Sequence, residues 1–139
     1  MNFEKKLAIS LFSMRITVFI VMLMWTVDKL VRPEHASTVY ETFYGLSGIM
    51  GHMMQAVGVL ELILILGFLL GLFKSITYLL VLIFHTISAF STIGAYFTPF
   101  TGNHLLFFAA LPMWAACLSL YLLRDKDTLL SLSKNIHPY

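Results

Sequence analysis

The chain has 139 residues, of which 59% are hydrophobic and 12% charged, and a formal net charge of +2. Soluble domains carry about 25% charged residues, so this one has about half the usual polar covering. The single cysteine, Cys117, excludes an internal disulfide and a cysteine-based metal cage. The basic residues lie at the ends of apolar stretches and form no nucleic-acid-binding patch.

Four apolar stretches are each long enough for a hydrocarbon layer of roughly 30 Å, which takes about 20 helical residues. They run from residues 7 to 27, 55 to 73, 75 to 97 and 104 to 123. The fold class expected is therefore all-α: an antiparallel four-helix transmembrane bundle forming one domain over residues 1–139. Lys5 and Lys6 precede the first stretch as in a secretory signal, but Arg15 interrupts it and no small-residue cleavage site follows, so it reads as a retained helix. The first connection is long. It contains Pro33 and then "ASTVYETFYGLSGIM", where an interfacial helix is expected. Spans 2 and 3 turn tightly around Lys74, and spans 3 and 4 turn through "TPFTGN". Pro112 should bend the fourth span. Lys5, Lys6, Lys74, Arg124, Lys126 and Lys134 fall on one side, with only Lys29 and Arg32 on the other, which puts both termini in the cytoplasm. Trp25, Tyr96 and Tyr121 lie near span ends, where aromatic belts form.

Each of the first three spans carries one ionisable residue away from its ends: Arg15, Glu61 and His85. At about 1.5 Å per residue from the cytoplasmic ends, these lie roughly 12, 18 and 15 Å deep. A charge near the bilayer centre costs about 2.5–3.5 kcal/mol on insertion scales. Arg15 cannot shed its proton, so a facing carboxylate is its natural compensation. The spacing predicts one buried layer in which Arg15 meets Glu61 and His85 donates to the carboxylate. Ser88, Thr92 and Ala95 share the face of His85 and would let helices approach and bond. A register-fixing ion pair and a working site are both open readings of this layer, with Glu61 and His85 the candidates for proton chemistry.

Ligand-type residues crowd in "GIMGHMMQAVGVLE". Met50, His52, Met53 and Met54 are the soft donors that suit copper(I), but adjacent helix positions diverge, and methionine elsewhere in the spans serves as filler. The patch is a weak metal candidate. His52 and Gln55 read better as the outer entrance to the Glu61 layer. Asp28 and Lys29 mark the outer end of span 1, where a lysine ordinarily snorkels. His104 reads as an interfacial residue, Cys117 as inert, and His35 and His137 as exposed residues without a role.

The pattern resembles the DoxX-like four-helix membrane proteins. The elements that carry the resemblance are Arg15 in the first span, "WTVDKLVRP" with Lys29 at its outer end, Gly58 and Glu61 in the second span, and the exit "LGFLLGLF". Together they cover about residues 11–123. The first span departs from the family in having no glycine before the lysine; it reads "VFIVMLMWTVDK". The resemblance implies a bacterial inner-membrane, redox-associated subunit that touches quinone, and it marks Arg15, Lys29 and Glu61. The sequence holds no residue set for flavin, haem or iron–sulfur, so electrons would come from a soluble or membrane oxidoreductase partner. An accessory subunit is thus expected rather than an independent enzyme. The alternatives are a small-solute or proton transporter, which would need a homo-oligomer, and a scaffold for a soluble partner.

Overall fold

The computed structural model describes residues 2–133, so Lys134 and His137 lie outside the described residues. The chain folds into α1 (Phe3–Val31), α2 (Pro33–Tyr44), α3 (Gly51–Leu69), α4 (Lys74–Ser91), α5 (Ile93–Phe97), a 3-10 helix (His104–Ala109) and α6 (Ala110–Leu122), with no strand among the described residues. α1 packs on α3 and α6, and α4 packs on the same two, which closes a four-membered ring of alternating direction. α1, α3, α4 and the segment His104–Leu122 are long and apolar enough to cross a membrane. Their outward faces are apolar, with Leu60, Ile63 and Ile76 mostly exposed, a surface suited to lipid and not to water.

The helix limits have local causes. α1 runs four residues beyond the expected span at each end, because its flanking lysines and Asp28 are compatible with helix. It stops at Arg32, where Pro33 takes the first position of α2 and needs no N–H partner. The apolar run of span 2 continues past Leu69, but the helix does not. Gly71 adopts a left-handed conformation (φ 64°), and Leu72 N–H donates to Gly67 O at 2.9 Å while Gly71 N–H donates to Phe68 O at 3.1 Å. Span 3 divides at Thr92 into α4 and α5. Pro112 sits in the first turn of α6, where its missing N–H costs nothing. The irregularity falls before it, in the 3-10 turn, and replaces the expected bend.

Packing follows two facing stripes. On α1 the stripe is Leu11, Arg15, Val18, Met22, Thr26 and Lys29, at three- and four-residue steps, with Asp28 buried beside it. On α3 they are Met54, Gly58, Ile65 and Phe68, and Glu61 falls on the same stripe. The antiparallel stripes meet most closely at Gly58: a Cβ there would lie 2.9 Å from Leu30 Cδ2 and 3.1 Å from Lys29 Cβ. Tyr78, Val81, Cys117 and Leu120 complete the core from α4 and α6. Gly58→Leu should therefore push α1 from α3 and cost about 1–3 kcal/mol, the usual range for overpacking. Reversible unfolding in detergent measures this, and an unchanged stability would contradict the close approach.

Candidate functional site

The expected single layer is two layers. Arg15 and Lys29 lie on one stripe fourteen residues apart, which is about 21 Å along α1. Arg15 meets Asp127, and Lys29 meets Glu61. Depths counted from each helix's own end misled, because α1 overshoots its neighbours. Arg15 is twelve residues into α1, yet its guanidinium lies against Gly71, just past the end of α3. The first turns of α1 thus extend beyond the α3–α4 turn. Glu61, by contrast, lies near the middle of α3, ten residues from its start and eight from its end.

The first layer closes the end of the bundle where α1 begins and α6 finishes. Arg15 and Asp127 are both fully buried, with Arg15 Nη1 3.5 Å from Asp127 Oδ2. Tyr78 Oη donates to the same Oδ2 at 2.6 Å and accepts from Arg15 Nη1 at 3.3 Å. Arg15 Nη2 donates to Leu129 O, and Lys74 Nζ donates to Asp127 O at 2.6 Å. The strap of residues 123–133 therefore folds back over the turn between α3 and α4, where Leu132 N–H also donates to Leu70 O at 2.9 Å. Sequence reasoning missed Asp127, Tyr78 and the inward role of Lys74. The available signal was Arg15 itself, which needs a carboxylate, with "RDKD" directly after the last span.

The second layer lies between α1 and α3 beneath α2. Lys29 Nζ is 2.8 Å from Glu61 Oε2, and the two side chains are 7% and 11% exposed. Lys29 does not snorkel outward as expected. Side chains lean toward the N-terminus of their own helix, so on antiparallel helices Lys29 leans inward along α1 and Glu61 outward along α3, and they converge. Lys29 Nζ also donates to Trp25 O at 3.4 Å and lies 5.8 Å from the centre of the Tyr40 ring. The Tyr40 hydroxyl is pushed up to about 12 by burial, and then by the nearby Glu61 and Tyr44, so it stays a neutral phenol. Tyr40 is held in place by a latch at the base of α2. Asp28 Oδ1 accepts from Arg32 Nε at 2.8 Å, and Asp28 Oδ2 accepts from His35 Nδ1 at 2.7 Å. His35, expected to be without a role, is half of this latch. Met24, Trp25, Asp28, Arg32 and His35 line a shallow cavity of about 220 Å³ beside it.

The remaining candidates scatter. His85 reaches neither charged pair; its Nε2 is bonded to Ala110 O at 2.9 Å, which ties α4 to α6. On the face of Ser88, Thr92 and Ala95 the Thr92 hydroxyl donates within its own chain segment, to Ala89 O at 3.0 Å, and a cross-helix bond comes instead from Thr86, which accepts from Trp114 Nε1 at 3.0 Å. A wholly apolar cavity of about 250 Å³ opens nearby between α4, α5 and α6. Gln55 Nε2 donates to Leu30 O at 3.3 Å, so it caps the end of α1, while His52 is exposed. Met50 and Met53 are exposed and Met54 is fully buried, so the four soft donors do not converge. Among the described residues no group of His, Cys, Asp and Glu is placed to hold a metal ion. His104 closes the "TPFTGN" turn, with Nδ1 3.0 Å from Thr98 O.

The described charges are distributed unevenly. The end with the first layer carries Lys5, Lys6, Arg15, Lys74, Arg124 and Lys126 against Glu4, Asp125 and Asp127. The end with α2 carries Lys29 and Arg32 against Asp28, Glu34, Glu41 and Glu61. Compared with protein-family profiles, curated proteins and solved structures, the chain matches none.

Breaking a buried pair strands the remaining charge, at about 3–5 kcal/mol. Arg15→Met alone and Asp127→Leu alone should each destabilise by about that much, while the double variant should recover most of the loss. A thermodynamic cycle in detergent tests this; additive losses would show that the two side chains do not depend on each other.

Proposed function

We propose that this chain is a DoxX-like, redox-associated subunit of the bacterial inner membrane, with both termini cytoplasmic, α2 lying at the outer interface, and the Lys29–Glu61 pair serving as a quinone head-group site. The observation that carries the reading is the meeting of Lys29 and Glu61 at 2.8 Å beneath Tyr40. These two residues come from separate sequence elements of the DoxX-like pattern. Their chemistry suits the group. An ammonium can donate to a carbonyl oxygen, and a carboxylate near the middle of a membrane helix can take or return a proton. A bound quinone supplies two-electron, two-proton carrier chemistry, and the electrons come from an oxidoreductase partner. The pair is nearly closed off, so entry requires α2 and Tyr40 to move aside. Orientation rests on the surplus of basic residues at the end where α1 begins and α6 finishes.

A transport role draws less support from the geometry. Val18, Met22, Ile65 and Phe68 lie between the two charged layers, so a single chain offers apolar packing where a polar path would have to run.

Decylubiquinone binding to the full chain in nanodiscs, followed by quenching of tryptophan fluorescence, tests the reading. Lys29→Gln and Glu61→Gln should each weaken binding by about tenfold to a hundredfold, the value of a hydrogen bond to a charged group. Binding that is undetectable in wild type, or equal in Glu61→Gln, removes the site. Partner-dependent electron transfer unchanged in Glu61→Gln removes its role.

A further inference from the structure

We propose that the end of the bundle formed by the α3–α4 turn, the strap after α6 and the start of α1 is a seat for anionic phospholipid head groups. Among the described residues only Phe73 (φ 46°) and Leu130 (φ 49°) are non-glycine residues with a left-handed backbone. L-residues avoid that conformation, since it crowds Cβ against the backbone. Here it throws both side chains outward: Phe73 is 75% and Leu130 74% exposed. The bonds from Leu132 N–H to Leu70 O and from Ser131 Oγ to Gly71 O, at 2.9 and 3.4 Å, lay the strap along the turn, so the two side chains leave the same end of the bundle.

Phe73 and Leu130 continue the lipid-facing flank of the α3–α4 hairpin, where Leu70 and Ile76 are also exposed. That continuity places the two side chains at the border of the hydrocarbon. The cations stand further out. Lys5 and Lys6 are exposed ten and nine residues before Arg15, which is about 15 Å along α1 at most. Lys126, more than half exposed, leans toward the same level and lies 3.8 Å from Glu4. Lys5, Lys6 and Lys126 stand outward against Glu4 and Asp125, and the part-buried Arg124 adds a further positive charge, so the local balance is positive. Apolar anchors at the hydrocarbon edge with ammonium groups a head-group layer beyond match a phospholipid surface carrying negative charge. An acidic soluble protein would satisfy the lysines but not the continuity of Phe73 and Leu130 with the lipid-facing flank.

The test compares the full chain in phosphatidylcholine nanodiscs and in nanodiscs mixed with phosphatidylglycerol, with native mass spectrometry counting retained lipid. Wild type should retain phosphatidylglycerol over phosphatidylcholine by on the order of tenfold or more, and added salt should reduce the preference. The triple variant K5Q/K6Q/K126Q should lose most of it, while K5R/K6R/K126R keeps it, which separates charge from folding. Phe73→Gly relieves the backbone and should keep the fold in detergent yet lower lipid retention. Equal retention of the two lipids by wild type, or an undiminished preference in the glutamine triple, overturns the proposal. So does lysine-dependent capture of an acidic soluble protein without any lipid preference.

Discussion

An arginine on the buried stripe of α1 constrains the rest of the molecule. Arg15 stays charged in any protein environment, so a helix that turns it inward must bring a carboxylate to it. Glu61 does not lie at its level, because the close packing of Gly58 on Leu30 and Lys29 sets α3 so that Glu61 meets Lys29. The carboxylate comes instead from Asp127, beyond the last helix, and the chain must reverse over the α3–α4 turn to deliver it. The consequence reaches past electrostatics. The strap, the turn and α4, through Tyr78 and Lys74, become one hydrogen-bonded unit around a single side chain. A bundle of four helices is thereby closed at one end by segments that are not spans.

The other end is built differently. Lys29 finds Glu61 on the neighbouring helix without help from any loop, because antiparallel helices lean their side chains toward each other's charge. What the loop adds here is cover. α2 is tethered to α1 by a single carboxylate, Asp28, bonded to both Arg32 and His35. The two layers differ in what they can do. Arg15 and Asp127 are wholly enclosed and joined by three elements, an arrangement that resists movement. Lys29 and Glu61 lie under one short helix joined to α1 through one residue, Arg32, with a non-helical backbone.

The helical architecture was legible because hydrophobic length needs no tertiary knowledge: four apolar runs became four helices long and apolar enough to cross a membrane. Ends set by one residue were harder to see. Apolar content carried span 2 through to Phe73, whereas Gly71 stops it with a left-handed turn. Lys29 and Glu61 could be singled out as candidates, but pairing them needed the relative offset of α1 and α3. That offset is fixed by shape at Gly58, not by hydropathy. Asp127 was not singled out because its burial depends on a chain reversal, and nothing in the local composition announces one. His35 was passed over for the same reason: its partner sits seven residues earlier, across a helix break.

The sign of charge at each end makes these separate features consistent. Internal pairing removes Arg15 and Lys29 from the outer surface, so what a surrounding medium meets is the residue of that pairing. At the end of the strap Lys5, Lys6 and Lys126 outnumber Glu4 and Asp125, and at the end of α2 the exposed charge is mainly carboxylate, from Glu34 and Glu41. A four-helix unit with that asymmetry has a preferred direction in a bilayer, independent of any ligand. The Lys29–Glu61 pair then lies toward the end that the basic residues avoid. The buried pair thus acquires its sidedness from residues that never touch it.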